Sequence, residues 1–428
     1  MKSHERFGPY ATRSFLVPSS RSTVFGLSYH EVSIPAKAQV RFHHSARRIE
    51  ALSQPGVSMS EHDIPWWTPQ VGQNEYANLR DVLESNYLND GDVTTQFEQE
   101  IAKLVGATYA VGVTNGTSAL FLALAALGIG HGDEVVVPDL TFIATANAVT
   151  LTGATPVLVD IDPATLTISP EAFEKAITAD TRAVIPVHIS GRSADLPAIV
   201  AIAKEHGLAV VEDAAEAFAS FHDGRALGTI GIAGCLSFSP NKTIMTGQGG
   251  MVLTDDEGLH LRLRELKDQG RPVRGTGGDD PHPSVGFNFK LTNLHSAIGL
   301  GQLEYLTERL TRQKRTYAQY ARGLAGAPGV RLPGFDIDSG EVPLWVDAIV
   351  ERRQELDRLL GDRRMHCRRF WAPLHTQPPY RRSDEEFPGS IWAAPRALWL
   401  PSAFTLSDTD VDAVIDAVRE FVDLRNGT

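Results

Sequence analysis

The chain is 428 residues long, 42% hydrophobic and 21% charged, with 40 basic against 52 acidic side chains and a formal net charge of −12. That length supports a large core and two or three domains, and the acidic balance speaks against a nucleic-acid partner. Two cysteines, Cys235 and Cys367, with no CxxC or HExxH spacing, exclude a disulfide framework and a familiar zinc site, so no metal is expected and a reducing, cytoplasmic setting is.

Residues 1–58 carry eight Lys or Arg against Glu5, Glu31 and Glu50, with many Ser and Pro and no helical or strand period. They read as a poorly ordered N-terminal extension, either a genuine tail or an over-long start ahead of Met59; the acidic residues weaken an organellar transit-peptide reading. From Tyr109, short β-branched runs alternate with helical stretches. Strands are expected at 109–113, 134–137, 155–159, 183–187 and 209–212, and helices at 118–127, 142–151, 170–177 and 196–206. This alternation predicts an α/β fold with a mostly parallel, doubly wound sheet whose ligands gather at the carboxyl ends of the strands. The Ala/Leu-rich run around Phe121 is soon broken by Gly130, His131 and Asp133, so no membrane span is expected. Further helices are expected at 295–306 and 309–324, then a Gly/Pro-rich break at 326–340 and a last helix at 408–424. The domain reading is an extension at 1–58, a large domain at 59–306 and a smaller C-terminal α/β domain at 307–428.

Three constellations carry chemistry. Asn115-Gly-Thr-Ser stands where a strand gives way to a helix, so it is either a phosphate-binding turn or an ordinary helix cap. Val210-Val-Glu-Asp-Ala-Ala-Glu216 delivers a carboxylate, Asp213, at a strand end; it could hold a cationic ring nitrogen or cap the next element. Ser237-Phe-Ser-Pro-Asn-Lys242 places one lysine in an apolar, Gly-rich stretch without an acidic neighbour in sequence, which suits a desolvated amine for Schiff-base chemistry or a lysine in a solvated loop. The three in this order point to pyridoxal phosphate. The Gly128-Ile-Gly-His-Gly run precedes a strand and lacks the dinucleotide spacing.

These segments, with Pro138-Asp-Leu-Thr-Phe-Ile-Ala-Thr, Gly247-Gln-Gly-Gly and Gly286-Phe-Asn-Phe-Lys-Leu-Thr-Asn, resemble the DegT/DnrJ/StrS family of sugar-nucleotide aminotransferases over roughly residues 64–424. The fold implied is that of the aspartate aminotransferase class, pyridoxal-phosphate fold type I, with the cofactor in the large domain. The resemblance implies that Lys242 forms the Schiff base and that Asp213 meets the pyridine nitrogen. It further implies that Gly116, Thr117 and Ser237 hold the phosphate, that Phe142 stacks on the ring, and that Glu216 lies near the phenolic oxygen. Asn288 would reach the phosphate of the neighbouring subunit, which implies a homodimer with shared sites; the alternative is a strand edge within its own subunit. Two departures stand out: Gln248 replaces a common Glu, and the segment Pro186-Val-His-Ile-Ser-Gly-Arg lacks a tyrosine often found after the histidine, which leaves His188 either a weak substrate candidate or a packed histidine. Residues 369–380 are most similar to the perosamine-synthase branch and offer Trp371 and His375 for substrate. The implied reaction converts a nucleotide-linked 4-keto-6-deoxyhexose to an amino sugar with glutamate as donor. The rivals are a pyridoxal-phosphate dehydratase, whose relatives replace the lysine by histidine, and a non-catalytic regulator that keeps the fold.

Overall fold

A computed structural model describes residues 63–272 and 280–423. The expectations for residues 1–58 and for a start at Met59 lie outside the described residues. The strands in chain order are β1 (Tyr109–Val113), β2 (Glu134–Pro138), β3 (Thr155–Val159), β4 (Thr181–Val184), β5 (Ala209–Asp213), the short pair β6 (Phe221–His222) and β7 (Arg225–Ala226), β8 (Ala233–Ser237), β9 (Gly250–Thr254), β10 (Val330–Arg331), β11 (Val346–Val350), β12 (Arg368–Arg369) and β13 (Ala397–Leu400). Seven of them form one sheet in the order β1-β9-β8-β5-β4-β2-β3, parallel from β8 to β3, with β9 alone running the other way. The fold is therefore α/β with a mostly parallel sheet, as the alternation of strands and helices requires.

The five expected strands are all present. The fourth ends at Val184 and not at 187, because Pro186 has no N–H for the ladder. Its carbonyl still accepts the Asp213 N–H at 2.9 Å, which keeps the chain beside β5. The sequence reading omitted β8 and β9, which flank the lysine loop. Helix Gly116–Ala126 buries Ser118 to Leu124 continuously, since it lies between the sheet and the helices Ala144–Thr152 and Glu257–Lys267. A helix apolar all round belongs in such a sandwich.

β9 sets the spacing of the cavity end. Gly250, its first residue, pairs with Val113 on one side and Ser237 on the other. A Cβ there would lie 2.3 Å from the Asn115 carbonyl oxygen, so only glycine lets the turn after β1 sit beside the end of β8.

The last four strands make an antiparallel sheet, β10-β11-β13-β12, backed by the helices Leu306–Gly323, Arg353–Asp362 and Asp408–Asp423. Ile64 packs with this group, its N–H donating to the Arg364 carbonyl at 2.9 Å. Trp66 follows it into a cluster with Trp345 and Trp399, at centroid distances of 5.5 and 6.0 Å. The start of the described chain thus belongs to the packing of its end. No helix among the described residues is long and apolar enough to cross a membrane.

Beneath β1, the buried Glu98 accepts the Gly112 N–H at 2.6 Å and pairs with Arg264 at 2.6 Å and Lys267 at 3.3 Å. Burial works against its charge, but Lys267 and Arg264 prevail and hold the carboxyl below the ordinary range. The stability it contributes is therefore present above the unfolded carboxyl range and lost as pH falls through the depressed value. Glu98→Ala takes the carboxylate from Arg264 and the Gly112 N–H and leaves Lys267 to Asp90, and a loss of about 3 kcal/mol in urea unfolding at neutral pH is expected, shrinking in acid. Unfolding identical to wild type would remove this pair from the support of β1.

Candidate active site

The carboxyl ends of β1, β5 and β8, the loop after β2 and the connection from β8 to β9 enclose a cavity of about 970 Å³. Gly116, Thr117, Phe142, Asp213, Glu216, Ser237, Lys242 and Trp371 all line it, so the structure gathers most of the sequence candidates into one place.

At one end, Asn115 caps the helix Gly116–Ala126, its Oδ1 accepting the Ser118 N–H at 2.8 Å. The first N–H groups of a helix have no partner within it, and their partial positive charge suits an anion. Gly116 keeps this turn against β8, where a Cβ would stand 3.0 Å from that of Ser237. The hydroxyls of Ser237 and Ser239 lie 3.1 Å apart at the same end. Cap and anion-binding turn are thus compatible roles of one segment.

Asp213 closes β5. One carboxylate oxygen accepts the Thr145 hydroxyl at 2.8 Å and the other the Ala215 N–H at 3.2 Å. Burial pushes its carboxyl above the ordinary range, and these hydrogen bonds only partly offset that. Lys242 sits in the turn after β8, its backbone N–H bonded to the Ser239 carbonyl at 3.0 Å. Its Nζ lies 3.4 Å from Glu216 Oε1 and 4.9 Å from the centroid of Trp345, with the side chain only 11% exposed. The amine is therefore enclosed and not in a solvated loop. Glu216 also accepts the Ser190 N–H at 2.9 Å, and burial raises its carboxyl against the pull of Lys242.

Phe142 is half exposed at the cavity wall, 6.3 Å from Trp371. Phe287 and Phe289 stack at 5.2 Å and meet Phe121 edge-on, forming another part of the wall. Asn288, between them in sequence, is exposed and does not line this chain's cavity.

Two candidates are corrected. His188 is fully buried outside the cavity: Nδ1 accepts the Ala194 N–H at 3.2 Å, which leaves Nε2 to donate to Glu212 at 3.0 Å. His375 is equally buried, bonded to Asp139 at 2.7 Å and stacked on Phe387. Both are held by packing and hydrogen bonds, and neither lines the cavity. The sequence reading missed Thr145, Trp345 and Arg368, all in the wall. Trp345 and Arg368 come from the C-terminal sheet, far along the chain from the lysine, and no local pattern announces them.

The raised Asp213 carboxyl has a consequence for stability. The Asp213 contribution to stability is fully present below the ordinary carboxylate range and is lost as pH rises through the raised value. In cofactor-free protein, Asp213→Asn is expected to raise the melting temperature at neutral pH and flatten its pH dependence. A lower melting temperature with an unchanged pH profile would contradict the assignment.

Comparison with known proteins agrees with this geometry. Residues 69–419 match the model of the DegT/DnrJ/EryC1/StrS aminotransferase family. The spore coat polysaccharide biosynthesis protein SpsC of Bacillus subtilis (strain 168) is 38% identical, covering 86% of this chain and 99% of that protein. GDP-perosamine synthase of Escherichia coli O157:H7 is 37% identical over 84% of this chain and 98% of its own. Among solved structures, S. venezuelae DesV superposes with a TM-score of 0.78 at 36% identity, covering 83% of this chain and 99% of that one. A 3-amino-5-hydroxybenzoic acid synthase gives a TM-score of 0.79 at 27% identity, covering 85% and 99%. A sheet with this strand order, a lysine and two carboxylates at its carboxyl end, and matches spanning nearly the whole length of these relatives together mean that the chain belongs to the DegT/DnrJ/EryC1/StrS aminotransferase family.

Proposed function

We propose that the protein is a pyridoxal-phosphate aminotransferase that converts a nucleotide-linked keto sugar, of the 4-keto-6-deoxyhexose kind, to an amino sugar with glutamate as amino donor. The observation that carries this reading is the enclosure of Lys242 with Glu216 and Asp213 in one cavity. The relatives named for perosamine synthesis support the sugar class.

The residues fit the cofactor. A buried carboxylate raised by desolvation suits a cationic ring nitrogen as its missing partner, and the helix start with Gly116, Thr117 and Ser237 suits a phosphate. Phe142 is placed at the wall where a ring face would stack. When bound, the cofactor supplies an electron sink that makes the α-hydrogen of an amino donor removable as a proton. Asp213, kept in place by Thr145, would hold the proton on the ring nitrogen and so preserve that sink. Lys242 would hold the cofactor through Nζ in the resting enzyme, and its freed amine would be the base that carries the proton from the donor's α-carbon to the cofactor carbon that bore the aldehyde. Glu216 steadies that amine between turns. The two substrates use one cavity in turn, which gives ping-pong kinetics. Lys242 also separates this reading from a family dehydratase, which would carry histidine there.

Lys242→Ala is expected to lose the visible absorbance of the bound cofactor and at least about a thousandfold in turnover, while melting like wild type. Wild-type turnover in that variant would remove the site assignment. The active unit is a homodimer in which Asn288, exposed on its own chain, completes the partner's site. Mixing Lys242→Ala with Asn288→Ala chains is expected to restore activity, since one site of each mixed dimer then has both residues. Demonstrated mixed dimers without restoration, alongside a defective Asn288→Ala homodimer, would place Asn288 in its own chain's function.

A further inference from the structure

Among the described residues four charged side chains line the cavity: Asp213, Glu216, Lys242 and Arg368. The first three are engaged with one another's neighbourhood as described, but Arg368 is not. It lies on β12, where successive side chains turn to opposite faces. Arg369 turns one way and pairs with Asp357 at 2.7 Å. Arg368 turns the other way, its guanidinium 4.8 Å from the centroid of Trp66 and 5.5 Å from that of Trp399, and among the described residues no carboxylate lies within ion-pair distance of it. Aromatic faces hold a guanidinium in place while leaving its fork of N–H donors free.

The same aromatic cluster reaches the lysine. Trp345 stands 4.9 Å from Lys242 Nζ, 5.5 Å from Trp66 and 4.7 Å from Trp399. The cavity therefore has an aromatic wall with Lys242 at one end and a second cation, without a counter-ion, at the other. Glu216 serves the lysine, so the anion that answers Arg368 has to arrive with a ligand. We propose that Arg368 binds the oxyanion of a substrate: the phosphate of the nucleotide-linked sugar or the carboxylate of the amino donor. The naming of substrates rests on the aminotransferase reading; the anion site itself rests on the wall geometry.

The test uses holoenzyme, so that any phosphate site for the cofactor is already filled. Binding of inorganic pyrophosphate and of 2-oxoglutarate is measured by calorimetry for wild type, Arg368→Gln and Arg368→Lys, together with KM for each substrate. Arg368→Gln is expected to weaken at least one probe by about 10- to 100-fold, and Arg368→Lys to recover part of it, because lysine keeps the charge but not the fork. Arg368 is exposed, so both variants are expected to melt with wild type. A loss confined to pyrophosphate assigns the nucleotide phosphate, a loss confined to 2-oxoglutarate assigns the donor carboxylate, and a loss of both means that the substrates use Arg368 in turn. Wild type that binds neither probe, or Arg368→Gln that binds both as wild type does, overturns the proposal. Arg368-dependent binding without amino-sugar formation from any nucleotide keto sugar would leave the anion site standing and overturn the aminotransferase reading.

Discussion

The constraint on which the site depends is the desolvated carboxylate at the end of β5. Two acids stand side by side there, and strand alternation sends them to opposite faces of the sheet. Glu212 is fully buried and accepts N–H groups from Gly228, Ile230 and Gly231 at 2.6 to 2.8 Å, plus His188. Burial opposes its charge, yet His188 and those donors hold its carboxyl below the ordinary range. Among the described residues Asp213 has Thr145 and Ala215 as its direct side-chain partners, and its carboxyl is raised. One strand therefore presents an acid with four hydrogen-bond partners to the core and one with two to the cavity. Leaving a buried carboxylate so poorly paired costs stability, and such a cost persists where a ligand supplies what the protein lacks.

That asymmetry also explains the fate of the histidine. His188 would be an attractive polar group near the site by sequence position alone. Its ring is spent on a hydrogen bond to Glu212 through Nε2 and on accepting the Ala194 N–H through Nδ1. His375 does the equivalent service for Asp139. A histidine that completes a buried hydrogen-bond network cannot also turn toward a ligand without leaving a carboxylate unpaired, and the unpaired state costs several kcal/mol, about 3 to 5 by analogy with broken buried pairs.

The sequence made the parallel part of the fold legible because strands buried on both faces read as continuous apolar runs, as at β2 and β5. It hid β8 and β9, where Gly234, Cys235 and the Gly249-Gly250 pair break the β-branched signature even though those residues are buried. Small residues are needed there for close approach: a Cβ on Gly234 would strike the Gly228 carbonyl at 2.0 Å. The same logic applies at the site. Lys242, Asp213 and the Asn115 turn were legible because each lies in a local motif. Trp345 and Arg368 were not, because their relevance is created only when the four-stranded sheet docks its edge beside the lysine loop.

The division of labour between the two sheets then has a physical reason. The seven-stranded sheet supplies groups whose placement has to be rigid: strand ends, a helix start, and a turn wedged by Gly250. The four-stranded sheet supplies an aromatic surface and a cation, Trp345 just before β11 and Arg368 on β12. Flat rings and a guanidinium tolerate small displacements, since stacking and cation–π contacts change gradually with distance, whereas the short hydrogen bonds around Asp213 do not. Shape and charge at the outer wall can therefore change without disturbing the enclosed lysine and the buried carboxylate. On the proposed reading, selectivity is accordingly to be sought at the start of β11, on β12 and on the loop that carries Trp371, and not among the residues at the ends of β1, β5 and β8.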